Sequence, residues 1–106
     1  MGHYKLVVLS DALDQRDDEF NDWYDNVHLK DVLAVDGIVA AQRFKLLSGD
    51  KWKYLALYEL ECEDPAPVVE ELQSRAGTDV MAISDAFDLA NHFMAVAEPI
   101  GDRQPA

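Results

Sequence analysis

The stretch DDEFNDWYDNVHLKDVL, residues 17–33, gathers side chains that could do chemistry. At about 100° per residue, Phe20, Trp23, Tyr24, Val27 and His28 fall on one arc of a helix, with Asp31 near the middle of that arc. Two readings of this arc stand side by side. In one, Trp23 and Tyr24 are core aromatics packed on a sheet, and His28 is a buried histidine bonded to a backbone carbonyl or to Asp31. In the other, His28 titrates near neutral pH and moves a proton to or from a bound molecule, oriented by Asp31 or by a group on a strand. Beyond His28 the pattern shifts, because Leu29, Val32 and Leu33 lie on roughly the opposite side. The helix is therefore expected to break or bend near residue 28, or to pack its last turn on another surface such as a partner chain. Either way His28 sits at a junction, where side chains often border a cleft.

Strand residues supply the next candidates. If residues 52–61 alternate, Trp52, Tyr54, Ala56 and Tyr58 share one face. Two tyrosines on an apolar face offer phenolic hydrogen bonds to an aromatic ligand; the plain alternative is an aromatic dimer core with hydroxyls at its edge. Tyr24, Tyr54 or Tyr58 could hold an enolate-like oxygen. Arg43, in the middle of a strand, needs a partner if buried. Glu59 would give a structural ion pair, whereas a substrate carboxylate or enolate would make Arg43 a binding residue.

Other chemistries find little support. His3 and His92 start strands that run antiparallel, so they lie at opposite ends of a sheet; His3 and His28 lie nearer the same end, but no third ligand appears at a characteristic spacing, so no metal is expected. There is no G-x-S-x-G elbow and no phosphate-binding glycine loop, and Cys62 sits among Glu61, Glu63 and Asp64, which make it a poor thiolate. No bound cofactor is implied, and no histidine is placed by a heme-specific pattern.

The elements that must position these residues follow from period and punctuation. His3–Leu9, Ile38–Leu47, Trp52–Glu61 and Asn91–Ile100 read as strands. A helix is expected from about Arg16 to Leu33, opened by Asp14, Asp17 and Asp18, and a second over DPAPVVEELQSRAG, with proline in its first turn and Gly77 at its end. SGDK joins the middle strands into a hairpin, and TDVMAISDAFDL is ambiguous. The order β-α-β-β-α-β, with right-handed crossovers, predicts an α+β, ferredoxin-like antiparallel sheet in the order 4-1-3-2, with both helices on one face and residues 1–106 in one domain. KLVVL, YLALY and FMAVA are apolar on both faces, and helices can cover only one. A second copy of the sheet is the simplest cover for the other, so a homodimer closed sheet to sheet is expected.

The 106 residues suffice for one core, with 49% hydrophobic residues. No apolar run approaches the roughly 18 residues of a membrane span, and the run Leu6–Leu9 is too short for a secretory signal. A single cysteine excludes an internal disulfide, and a reducing cytoplasm is the plain inference. A formal charge of −12 repels phosphate backbones, which argues against nucleic acid and anionic membranes as partners.

The run Phe20-x-x-Trp23-Tyr24-x-x-x-His28, followed by Gly37 and Arg43-Phe44, resembles the EthD-like branch of the dimeric α/β barrel superfamily. The resemblance covers residues 3 to 100 and includes the order of elements; Asp36 stands where the family often has proline. It implies a homodimer with a pocket in each subunit between helices and sheet. It also implies chemistry on a small apolar or aromatic metabolite without a cofactor: relatives include lactone isomerases, polyketide cyclases, cofactor-free monooxygenases and proteins linked to ether degradation. His28 matches the helix histidine that several members place at the pocket. A noncatalytic dimer that binds a small molecule, or serves as an accessory subunit, is the competing expectation.

Overall fold

Four strands, β1 (Gly2–Ser10), β2 (Ile38–Lys45), β3 (Tyr54–Cys62) and β4 (Phe93–Ala97), form one antiparallel sheet in the order β2-β3-β1-β4 in a computed structural model that describes residues 2–106. Read from the other edge, this is the expected order 4-1-3-2. β1 pairs with β3 along its whole length, from Gly2↔Cys62 to Ser10↔Tyr54, while β4 pairs only with Lys5 to Leu9. Alternation sorts the side chains between faces. Leu6, Val8 and Ser10 of β1 and Ala56, Tyr58 and Leu60 of β3 point to the buried face. β3 begins later than expected. Trp52 therefore does not share a face with Tyr54: it precedes the strand, donates its indole N–H to the Asn91 carbonyl at 2.7 Å and packs on Phe93, with ring centroids 6.0 Å apart.

The first helical unit runs from α1 (Asp17–Trp23) through a π-helical turn (Tyr24–His28) into α2 (Leu29–Leu33). The irregularity falls where the apolar pattern shifts. An α-helix advances about 40° for every four residues beyond a full turn, so positions spaced by four drift off one face. At the π turn the Leu29 N–H reaches back five residues to the Tyr24 carbonyl, and the extra residue absorbs that drift. Phe20, Tyr24, His28 and Val32 consequently stay buried in line. Val27, assigned to the arc by α-helical geometry, is 44% exposed, and Val32 takes the place the pattern gave to the opposite side.

α3 (Pro65–Arg75) starts at Asp64, whose carboxylate accepts the Ala66 N–H at 3.0 Å, with Pro65 in the first turn. Val68 and Leu72 bury its inner side. Val68 approaches Gly37 so closely that an added Cβ would stand 2.8 Å from Val68 Cγ2, and Gly37 also has φ +97°, so glycine is required there on both counts. Residues 76–92 form no long element but close one end of the core with Met81 and Ala86, both fully buried, before a 3-10 turn at Leu89–Asn91.

The other face of the sheet carries Val7 and Leu9 from β1, Leu55 and Leu57 from β3, Phe44 from β2 and Phe93 from β4. On this face Phe44 and Phe93 are 39% and 44% exposed. No helix among the described residues is long and apolar enough to cross a membrane.

Candidate functional site

A cavity of about 210 Å³ opens between the first helical unit, α3, the 76–92 segment and the buried face of the sheet. Its walls are mostly apolar: Val8 and Met94 from the sheet, Val32 and Leu72 from helices, and Met81, Ile83 and Phe87 from the irregular segment. The polar groups that reach it are Tyr24, His28, Tyr58, Gln73 and His92. Among the described residues no carboxylate, lysine or arginine lines it.

The π turn places His28. Its ring stacks on Trp23, centroids 4.5 Å apart and 24° between planes, and meets Tyr24 edge-on at 5.0 Å. The residue is 9% exposed. Nδ1 is sealed from solvent and has no hydrogen-bond partner, so neither Asp31 nor a backbone carbonyl orients the ring as the sequence suggested. Nε2 is not sealed, which makes it the nitrogen the cavity can reach. Burial, and secondarily the positive charge of Arg43, pushes the imidazole pKa down to about 4. His28 is therefore neutral at pH 7 and does not titrate near neutrality, a second departure from expectation.

Tyr58 Oη–H donates to Tyr24 Oη at 3.3 Å, a long bond between two buried hydroxyls. The pair holds two hydrogens and shares one bond, which leaves the Tyr24 O–H to donate elsewhere. Burial raises both phenols above their ordinary range, so both stay protonated.

Trp23 stands behind His28 as its stacking platform and donates its indole N–H to the Ala82 carbonyl at 3.2 Å. Arg43 and Tyr54 do not join the cavity. They line a separate depression with Asn21, Asp25, Phe44 and Lys45. Arg43 lies over the far side of the Tyr24 ring at 4.4 Å and 5.6 Å from the Phe20 and Tyr54 centroids. Its partners are Asp25 at 2.8 Å and Asn21 at 2.7 Å. Glu59, the partner that sequence suggested, faces the opposite side of the sheet and pairs with Lys5 at 3.6 Å. The Tyr54 hydroxyl is spent on Asp17 at 2.6 Å and holds that carboxyl below its usual range.

His92 was legible only as the start of a strand, and the structure brings it, rather than His3, to the wall that His28 shares. His3 lies at the far end of β1, opposite Glu61. Among the described residues no group of three or more His, Cys, Asp or Glu side chains stands close enough to hold a metal ion. Burial, then Asp64 and Glu63, raises the Cys62 thiol, in keeping with an unreactive cysteine.

No family model and no curated protein matches the chain. Solved structures match it in shape. An EthD (ethyl tert-butyl ether D) family protein from Bacillus halodurans C-125 superposes with a TM-score of 0.64 at 13% identity, covering 92% of this chain and 99% of that one. The fold is that of the EthD-like proteins. A proposed monooxygenase from Shewanella loihica PV-4 superposes with a TM-score of 0.66 at 10% identity, covering 95% of this chain and 97% of the other. HapK from Hahella chejuensis gives 0.57 at 12% identity, with 97% and 98% covered. At such identities the likeness carries the EthD-like fold and not the chemistry.

Proposed function

We propose that the chain is a small-molecule-handling EthD-like protein whose cavity takes a neutral apolar or aromatic metabolite, with His28 as the hydrogen-bonding group at its centre and a cavity histidine serving the acid–base step. The observation that carries this reading is the convergence of the accessible His28 Nε2 and the spare Tyr24 hydroxyl hydrogen on a mostly apolar cavity. Cavities of about 150 Å³ accept benzene, so about 210 Å³ suits a single substituted ring. The absence of any cation in the lining and the net charge of −12 both disfavour carboxylate ligands. Trp23 serves as the platform for His28; Arg43 acts from behind Tyr24, favouring negative charge in the cavity, and Tyr54 positions Arg43's neighbours without meeting the ligand. Cofactor-free isomerisation, cyclisation or oxidation all pass through an enolate-like oxygen that the Tyr24–Tyr58 pair can hold. The Shewanella loihica neighbour's description as a proposed monooxygenase makes oxidation a natural reaction to assay first.

The open apolar sheet face supports assembly as a homodimer, sheet against sheet. A soluble cytoplasmic setting fits one unpaired cysteine in an acidic chain. Neutral phenols, lactones and cyclic ketones should bind the wild type by calorimetry, with turnover of the true substrate lost in His28→Gln while binding persists. Binding without turnover in any member of the panel, unaltered by His28→Gln, would leave a noncatalytic binding dimer. A wild type that binds none of them would sink the reading altogether.

A further inference from the structure

The cavity is lined by a second imidazole besides His28. His92 directly precedes β4 and stands exposed on the cavity wall. Its Nδ1 lies 2.8 Å from the Leu89 carbonyl. A carbonyl can only accept, so Nδ1 carries the hydrogen and, in the neutral ring, Nε2 is the bare basic nitrogen. The 3-10 turn Leu89–Asn91 presents that carbonyl, and the turn is tied in place by Trp52, whose indole N–H bonds the Asn91 carbonyl at 2.7 Å. The tautomer of His92 is thus set by backbone.

His28 is arranged the other way. Its sealed, unpartnered nitrogen is Nδ1, and an orphaned buried donor is rarer than an under-satisfied acceptor, so Nδ1 is bare and Nε2 carries the hydrogen toward the cavity. A relay of ring contacts joins the two imidazoles, passing through Trp23 behind the lining: His28 on Trp23 at 4.5 Å, Trp23 against Phe87 at 6.0 Å, Phe87 against His92 at 5.5 Å. Both imidazoles line the cavity, and one offers an N–H and the other a lone pair to a ligand within it. The titratable groups lining the cavity besides these two are Tyr24 and Tyr58. Asp88, on the same turn as His92, is the neighbouring carboxylate in sequence, and it does not line the cavity.

We propose that His92 Nε2 is the proton acceptor of this site and that its substrates are neutral molecules with an acidic O–H, phenols or enols. This rests on the cavity being the ligand site. In the step, the ligand O–H bond breaks, the proton goes to His92 Nε2 to form an imidazolium, and the electron pair stays on oxygen. The resulting phenolate or enolate accepts hydrogen bonds from His28 Nε2–H and the spare Tyr24 hydroxyl. His92, being exposed, returns its proton to water.

The test uses 4-nitrophenol, whose absorbance separates phenol from phenolate, at a pH where the free probe is mostly protonated. Bound to the wild type, the probe should show the phenolate band. His92→Gln should abolish that band and weaken binding about tenfold, the equivalent of one charge-assisted hydrogen bond. Imidazole nitrogen NMR of the free wild-type protein should show a protonated Nδ1 and a bare Nε2 on His92. The proposal is overturned if the band survives His92→Gln, if it is lost in His28→Gln with His92 intact, or if His92 Nε2 carries the hydrogen in the free protein. A probe that fails to bind at all overturns the ligand site itself and this inference with it.

Discussion

Replacing His28 with glutamine should flatten the acid side of the stability curve. The native imidazole has its pKa lowered from 6.5 to about 4 by burial and by Arg43, while the unfolded chain returns it to its ordinary value. Between those limits the unfolded state binds a proton that the native state refuses, so stability falls as pH falls from 6.5 toward 4. The full difference corresponds to about 3 kcal/mol, and between about pH 7.5 and pH 5 it amounts to about 2 kcal/mol. The lower limit stays above the pI of about 4.3, where the chain would lose its charge. Glutamine does not titrate, and the 21 acids contribute equally to both proteins. Urea unfolding at fixed protein concentration measures the effect: the wild type should lose about 2 kcal/mol more than His28→Gln over that range. Parallel curves would refute the buried, neutral His28 described above.

Other consequences are separately measurable. Arg43→Met removes the cation behind Tyr24 and should raise the His28 pKa toward 6.5, as read by NMR titration; an unmoved or lower value would contradict the electrostatic link. Gly37→Ala forces a Cβ against Val68 at a positive φ and should cost about 2 kcal/mol in denaturant unfolding, whereas an unchanged midpoint would show the loop yields freely. Leu57→Asp on the open sheet face should give a species near 11.9 kDa by light scattering where the wild type gives twice that mass; a monomeric wild type would sink the dimer. Phenol should bind at least tenfold more tightly than benzoate, because no cation lines the cavity, and equal affinities would count against the neutral-ligand assignment.

Strands and sheet order were legible because KLVVL, YLALY and FMAVA leave little alternative, and right-handed crossovers then permit few topologies. The arc from Phe20 to His28 was legible in part. Periodicity located the disturbance near residue 28 but assumed α-helical spacing, and a turn bonded five residues back cannot be seen in a pattern of apolar positions. Hence Val27 was placed inside and Val32 outside. The Arg43–Glu59 pairing failed on parity. Arg43 lies opposite Ala56 and shares its buried face, while Glu59 is three residues further along β3 and points the other way. His92 was read only as the start of a strand, because residues 78–91 have no period to place it, and the folded segment brings it to the cavity.

The central claim, that the cavity between helices and sheet is a site for a neutral aromatic molecule, is tested most directly by methyl NMR. Met81, from the irregular segment, and Met94, from β4, both line the cavity, and Met1 lies outside the described residues. Titration with phenol should shift the Met81 and Met94 methyl signals together with the His28 ring signals, saturably and at one dissociation constant. Shifts confined to the sheet's outer face, or none at any concentration short of denaturation, would contradict the claim.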